Sequence, residues 1–300
     1  MKNSKISFFQ FTGVLLALGI LATGCQKRLD IFPTQTIAAE KALQSESDVL
    51  GTLVGCYDGI QSSSLYGGDI MVLNELIGNT TYIRFTGTFQ SLSDAYLGQM
   101  TADNGFATTT WTAAYNTINR CNNVLSSLDK VTSSEANRGK VEGEALFLRS
   151  SLYYELVRLY AKALTDGDPG TNPGVPLILT ATSSPLKESD YPSRASVTAV
   201  YNQVVNDLVK AETLLPSTNS RYATKWAAAA QLAPVYLTLG KYAEARDAAN
   251  RVLTGSGKVL NPTFANLWFT YINFGGVTPT EYLDRKSTRL NSSHGYISYA

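Results

Sequence analysis

The feature that most constrains the fold is a pair of helix-forming segments separated by one short turn, at residues 225–253. Leu232 and Tyr236 recur at the spacing of one helix face, and a second periodic segment begins near Tyr242. Gly240 lies between the two segments, where a glycine can end a helix and reverse the chain. Two helices joined this closely pack against each other, so the sequence predicts an antiparallel helical hairpin.

This hairpin resembles a tetratricopeptide repeat, in which small residues such as Ala245 let two helix backbones approach each other. Pro234 departs from the repeat pattern, and we expect it to kink the first helix. One repeat cannot bury its own apolar face. A second hairpin is predicted between Trp111 and Tyr160, with Ser134 as the N-cap of its second helix, and we expect it to stack beside the first.

Two further helices are predicted from end signals in the sequence. Acidic residues follow Ser45, which predicts a helix that runs to about Ser63 and buries a stripe including Val54. Another helix is predicted over residues 196–215, where Pro216 ends it. Together with the hairpins, these segments predict a mainly α fold.

Residues 64–105 show no sustained helical period and carry glycines among aromatic and polar side chains. We expect a long irregular, loop-rich insertion here, because such segments in compact proteins are often functional. Aromatic faces cover apolar C–H groups, while amide and guanidinium groups bond hydroxyls, so the segment suits a neutral polar ligand. The candidate ligand-binding residues are Tyr66, Asn74, Asn79, Tyr82, Arg84, Phe89 and Asn104. Trp111, at the start of the next helix, is interpreted as a core residue.

The N-terminal residues have the pattern of a bacterial lipoprotein signal. Lys2 and Lys5 precede an apolar run that ends in small residues before Cys25, which predicts a signal over residues 1–24. The thiol of Cys25 would carry a diacylglycerol, and residues 25–40 would form a leader arm. The run is too short to span a bilayer, which takes about 20 apolar residues. The alternative is an ordinary cleaved signal followed by a chance cysteine.

The composition describes a globular chain, with 44% hydrophobic and 16% charged residues. A formal net charge of +1 gives no indication of nucleic acid or of a strongly charged substrate. Cys56 and Cys121 could pair in an oxidising compartment. Each also lies in a helical pattern, which favours buried free thiols.

Histidine, the side chain that most often acts as a general base or binds zinc, is almost absent from the sequence. The single histidine, His294, lies in the C-terminal tail, which leaves no histidine base and no zinc set. We therefore predict no enzyme, no cofactor and no metal. Asp69, Glu75, Asp94 and Asp103 could supply a carboxylate pair for a glycosidase, but solvated acids are the favoured interpretation.

Several motifs follow one another in a characteristic order after the lipidated cysteine. They are Trp111-x3-Tyr115-x2-Ile118-x2-Cys121-Asn122, Glu144-Ala145-x-Phe147-Leu148-Arg149, Gly174-Val175-Pro176-Leu177 and Tyr201-x5-Asp207-Leu208. The order and spacing resemble the SusD/RagB-like outer-membrane lipoproteins of Bacteroidetes, over residues 18–283. Members are typically longer, so the resemblance implies a chain that is truncated at its C-terminal end.

The resemblance implies a non-enzymatic, lipid-anchored protein at the outer membrane, facing the cell surface. It would capture oligosaccharides or other nutrients and deliver them to a TonB-dependent SusC-like outer-membrane transporter, with no nucleic-acid partner. The implied domains are a SusD-like N-terminal helical domain with tetratricopeptide-like repeats over residues 41–262 and the start of a C-terminal region over residues 263–283. Residues 284–300 resemble a non-native tail translated from sequencing-adapter DNA. The alternative function is a helical-repeat scaffold lipoprotein that binds a protein partner.

Overall fold

The computed structural model describes residues 43–78, 83–182 and 191–259. Those ranges contain eight α-helices, one 3-10 turn and no β-strand, which confirms the mainly α prediction. The helices are α1 (Glu46–Ile60), α2 (Asp69–Gly78), α3 (Gln90–Tyr96), α4 (Gly105–Ser126), α5 (Glu135–Tyr160), α6 (Val197–Leu214), α7 (Lys225–Thr238) and α8 (Tyr242–Gly255), with the 3-10 turn at Leu128–Lys130. The predicted signal, Cys25, the leader arm and the predicted segments after residue 259 lie outside the described residues.

The helices form a stack in which most neighbours in space are also neighbours in sequence. Helix α1 packs on α4, α4 on α5, α5 on α6, α6 on α7 and α7 on α8. The long helix α5 lies at the centre and buries residues on all of its sides, including Phe147, Leu148, Leu152 and Tyr153. The α4–α5 and α7–α8 pairs are the two hairpins that the sequence predicts.

The helix ends follow the predicted cap residues. The Ser134 hydroxyl accepts a hydrogen bond from the Asn137 amide at 3.0 Å, and Ser196 caps α6 in the same way. Ser45 and Asp48 form a reciprocal capping box at the start of α1. Gly240 has a φ of +71°, the left-handed conformation that closes the α7–α8 turn at little steric cost.

The prediction of an irregular segment at 64–105 is partly wrong, because α2 and α3 lie within it. Helix α2 is apolar on its exposed side as well as its buried one, with Met71 and Val72 facing solvent, so its sequence lacks a clear amphipathic period. Helix α3 has only seven residues, too few to show a period. A small separate core around Leu73 and Ala95 joins the two helices.

Three smaller predictions also need correction. Helix α1 ends at Ile60 rather than near Ser63, and Val54 is 52% exposed because it lies outside the stripe that faces α4. Helix α4 begins at Gly105, six residues before Trp111, where the predicted hairpin starts, because Asn104 caps it. Helix α7 continues through Pro234, whose missing N–H removes one bond of the helix without ending it. The kink predicted at Pro234 stays a prediction.

Cys56 and Cys121 are buried free thiols, as the helical pattern favours. They lie on α1 and α4, two helices that pack together. A hydrogen bond with Cys56, together with burial, raises the pKa of the Cys121 thiol. The Cys121 sulfur is therefore protonated at neutral pH and behaves as a small apolar side chain.

Candidate functional site

The candidate site is a cleft of about 620 Å³ bordered by α2, α4, the end of α5 and two loops. This volume lies in the range of roughly 300–1,000 Å³ that is usual for ligand pockets. Most of the lining is apolar or aromatic, with threonine hydroxyls among it. The lining residues are Leu73, Ile77, Met100, Thr101, Ala102, Ala107, Thr108, Trp111, Thr112, Leu159, Tyr160, Pro176 and Arg194.

Two aromatic rings form one wall of the cleft. The Trp111 and Tyr160 ring centroids are 5.0 Å apart at an interplanar angle of 73°, an edge-to-face contact. Tyr115, one turn further along α4, stacks on Trp111 at 4.8 Å from behind the wall. The Tyr160 hydroxyl donates to the Ala107 carbonyl at 2.6 Å, which fixes the ring. Burial raises the pKa of Tyr160 to about 12, so its hydroxyl stays protonated.

Pro176 borders the cleft from residues 174–182, which belong to no helix or strand. The Tyr115 hydroxyl donates to the Pro176 carbonyl at 2.8 Å. The Tyr153 hydroxyl donates to the Ile178 carbonyl at 2.9 Å and accepts from the Ile178 amide at 2.7 Å. Side chains of α4 and α5 therefore satisfy backbone groups that a neighbouring strand would otherwise pair, and they hold Pro176 in place.

A buried ion pair between α5 and α6 is connected by hydrogen bonds to residues 174–182. The Arg149 Nε and Nη2 atoms donate to the two Asp207 carboxylate oxygens at 2.8 and 2.9 Å. The Arg149 Nη1 atom donates to the Asn122 amide oxygen at 2.9 Å, and the Asn122 Nδ2 atom donates to the Ile178 carbonyl at 2.8 Å. The network connects α6 through α5 and α4 to residues 174–182. Its members belong to the motifs that carry the family resemblance, which gives those motifs a structural role.

Two of the predicted ligand residues meet at Glu155, a buried residue of α5. The Tyr66 hydroxyl donates to Glu155 Oε1 at 3.0 Å, and the Asn74 Nδ2 atom donates to Glu155 Oε2 at 3.3 Å. Arg158 pairs with the same carboxylate at 3.0 Å. The structure thus brings Tyr66 and Asn74 together, and both hold the α2 region against α5. A ligand contact by either residue stays a prediction.

Asn104 is buried and acts as the N-cap of α4. Its amide oxygen accepts from the Phe106 amide at 3.1 Å, and its Nδ2 atom donates to the Ser91 carbonyl at 3.1 Å. Both ends of the side chain therefore have partners inside the fold. The described structure gives Asn104 a structural role, and its predicted contact with ligand stays a prediction.

Two other candidates, Phe89 and Arg84, are not among the residues that line the cleft. Phe89 is 60% exposed and packs edge-on against Phe106, with the ring centroids 5.9 Å apart. Arg84 is exposed. Asn79 and Tyr82 lie outside the described residues. Ligand binding by these residues stays a prediction.

Sequence reasoning did not place Trp111, Tyr160 or Arg194 in a site. Trp111 packs on the main core, as the sequence predicts, but it is half-buried and also faces the cleft. Tyr160 borders the cleft because α5 packs on α4. Arg194 borders it because the backbone at Ala195 is hydrogen-bonded to Gly174 and Val175. The single local signal is the Trp111–Tyr115 spacing of one helical turn.

The fold and the cleft define a helical-repeat protein with an aromatic-lined binding surface. The chain belongs to the SusD-like family described as "Starch-binding associating with outer membrane", which matches residues 33–237. This confirms the resemblance drawn from the motifs. Across the described helices, none combines the length and the apolarity that crossing a membrane requires.

Relatives in two comparisons agree with the family. SusD-like protein P2 of Formosa agariphila is 28% identical over 98% of the chain and 55% of its own length. A SusD superfamily crystal structure from Bacteroides thetaiotaomicron is 25% identical, with a TM-score of 0.67 over 80% of the chain and 52% of that protein. A SusD-like carbohydrate binding protein from Bacteroides vulgatus is 26% identical, with a TM-score of 0.61 over 73% of the chain and 46% of that protein. The chain therefore spans about half the length of the relatives it matches.

Proposed function

We propose that this protein binds oligosaccharides in the cleft beside Trp111 and Tyr160 and passes them to a SusC-like TonB-dependent outer-membrane transporter. The observation that carries the proposal is the aromatic wall. Sugar rings present flat patches of C–H groups, and an aromatic face or edge covers such a patch while the hydroxyls remain at the polar rim. The family description and the carbohydrate-binding relative from Bacteroides vulgatus support the same ligand class.

The rim of the cleft supplies the polar groups that a sugar needs. Thr108 and Thr112 are exposed threonines on the first turns of α4. The Thr108 hydroxyl donates to the Ala102 carbonyl at 3.3 Å and can accept from a sugar, while the Thr112 hydroxyl can donate or accept. Pro176 and Leu73 add apolar contact on the other sides. A cleft with an aromatic wall and a few hydroxyls at its edge suits a chain of sugar rings.

Binding is proposed to occur without cleavage of the saccharide. Glycosidases place two carboxyl groups on either side of the bond that they break. Among the described residues that line the cleft, none is an aspartate or a glutamate. The expected result is that no reducing ends appear when the protein is incubated with an oligosaccharide panel.

The anchor and the partner belong to the same proposal. Cys25 follows the pattern of a lipidated cysteine, and the family is described as associating with the outer membrane. A lipid-anchored binding protein beside a transporter raises the local concentration of the captured saccharide at the transport entrance. Affinity purification of the chain from native outer membranes should recover a TonB-dependent barrel, and its absence would count against delivery.

The binding test uses the full chain and two tryptophan variants. Maltoheptaose is titrated into wild type, Trp111→Ala and Trp226→Ala, and the heat of binding is measured. Trp226 is the matched control, because it is also half-buried but lies on α7 outside the cleft lining, beneath Lys225. We expect Trp111→Ala to lose about two- to twelvefold in affinity, since one aromatic contact contributes about 0.5–1.5 kcal/mol. Equal losses in the two variants, or no saccharide binding by wild type, would contradict the proposed site.

A further inference from the structure

Arg194 is the only charged side chain among the described residues that line the cleft. Its side chain is exposed. Arg194 borders the cleft next to Pro176, because the backbone around residue 195 is hydrogen-bonded to the backbone at residues 174 and 175. The Gly174 amide donates to the Ala195 carbonyl at 2.6 Å, and the Ala195 amide donates to the Val175 carbonyl at 3.1 Å. The backbone that carries Arg194 is thus fixed against the segment that carries Pro176.

The guanidinium group is itself attached to the cleft wall. Its Nη2 atom donates to the backbone carbonyl of Tyr160, the last residue of α5. Carbonyls at a helix C-terminus lack a partner within the helix and carry partial negative charge, so they attract a cation. This bond holds the positive charge beside the Trp111–Tyr160 wall.

Arg194 has no acidic partner among the described residues, unlike several other arginines of the fold. Arg84, Arg120 and Arg221 share this property, but none of the three lines the cleft. Arg149 pairs with Asp207, and Arg158 pairs with Glu155. A guanidinium group has five N–H donors in a planar fork. The bond to the Tyr160 carbonyl uses one of them, which leaves a set of donors with the geometry for a carboxylate or a sulfate.

We propose that Arg194 makes the cleft selective for anionic oligosaccharides, through an ion pair with a carboxylate or sulfate group on a sugar stacked beside Trp111. This inference rests on the proposed function and deepens it by naming the class of saccharide. The net charge of +1 gave no indication of a charged ligand, because a bulk charge does not show where one cation lies at the edge of an apolar wall. An apolar wall next to the charge lowers the local dielectric and strengthens the attraction.

The test compares saccharides with the same sugar backbone that do or do not carry the anionic group. One pair is tetragalacturonate and its methyl ester, and the other is a sulfated carrageenan oligosaccharide and its desulfated form. Each is titrated into the full chain as wild type, Arg194→Gln, Arg194→Lys and Arg246→Gln. Arg246 is the matched control, because it is an exposed arginine on α8, outside the cleft lining.

We expect wild type to prefer the anionic member of at least one pair by about three- to fivefold at low salt, the upper part of the range for an exposed ion pair. The preferred pair identifies the group as carboxylate or sulfate. Arg194→Gln should reduce the preference to twofold or less, Arg194→Lys should keep part of it, and Arg246→Gln should leave it unchanged. The preference should also fall as salt rises from about 0.05 M to 0.5 M.

The outcomes separate this inference from the proposed function. If maltoheptaose or the neutral members bind and charge gives no preference, the selectivity is overturned while saccharide binding stands. A preference that survives in Arg194→Gln also overturns the role of Arg194. If no saccharide binds wild type at all, both proposals fall together.

Discussion

The buried ion pair between Arg149 and Asp207 allows a quantitative test of how the cleft is supported. Both side chains are nearly inaccessible, with 7% and 6% of their surface exposed. In Asp207→Asn, the amide group keeps the shape of the carboxylate but loses its charge. One Arg149 donor then faces an N–H₂ group instead of an oxygen. A buried guanidinium is left without a counter-ion, although Asn122 still accepts one of its hydrogen bonds.

We expect Asp207→Asn to lower the free energy of unfolding by about 3–5 kcal/mol, the usual cost of removing one partner from a buried pair. That is a large fraction of a typical stability of about 5–15 kcal/mol. Replacing both residues, as Arg149→Met with Asp207→Leu, should cost less than Asp207→Asn alone, because no uncompensated charge then remains buried.

The matched control is Glu212→Gln, which removes the same charge from a similar two-bond geometry at the surface. Arg251 donates to the two Glu212 oxygens at 2.6 and 2.8 Å, but 44% of the arginine side chain and 19% of the glutamate side chain are exposed. Its loss should therefore cost below about 1 kcal/mol. Urea unfolding, followed by circular dichroism, gives the free energy of unfolding of each variant, provided that the dependence of that energy on urea concentration is the same in all of them. Equal costs for the buried and the surface variant would refute the reasoning.

Two further predictions concern a turn and a buried acid. Gly240→Ala should lower the free energy of unfolding by about 1 kcal/mol, because at a φ of +71° a Cβ atom lies too close to the following carbonyl oxygen. Gly51→Ala should raise the free energy of unfolding by up to about 1 kcal/mol, because its site inside α1 has room for a Cβ atom and alanine favours a helix. Losses of equal size in both variants would contradict this account of the turn. Burial raises the pKa of Glu144 above 4.5, although Asn219 donates to its carboxylate. The folded state then binds more protons than the unfolded state just above pH 4.5, so stability falls as pH rises through that window. Urea unfolding at pH 4 and pH 8 should show that the stability of Glu144→Gln increases relative to that of wild type as pH rises. If the difference in the free energy of unfolding between the two proteins is the same at both pH values, Glu144 does not cause the pH dependence.

Much of the fold could be predicted because its signals are local. Ser134, Ser196 and Gly240 mark helix ends through bonds to residues only a few positions away, and the structure confirms each of them. Helices α2 and α3 could not be predicted by period. The first is apolar on both sides, and the second has seven residues, only about two turns, which is too short to show a period.

The candidate site was harder to predict because it is assembled from distant segments. Trp111, Tyr160 and Arg194 come from three parts of the chain, and no local pattern connects them. Tyr66 and Asn74 have the right chemistry for a ligand, but the structure joins them to Glu155, a residue of another helix. Residue type shows what a side chain can bind, while packing decides which partner it meets.

Saccharide binding beside Trp111 and Tyr160 can be seen in a crystal structure of the full chain soaked with maltoheptaose or with the anionic oligosaccharide that it prefers. We expect density for at least one sugar ring against the Trp111–Tyr160 wall, within hydrogen-bond distance of the rim. Saccharide bound only elsewhere, with this cleft occupied by solvent, would contradict the proposed site.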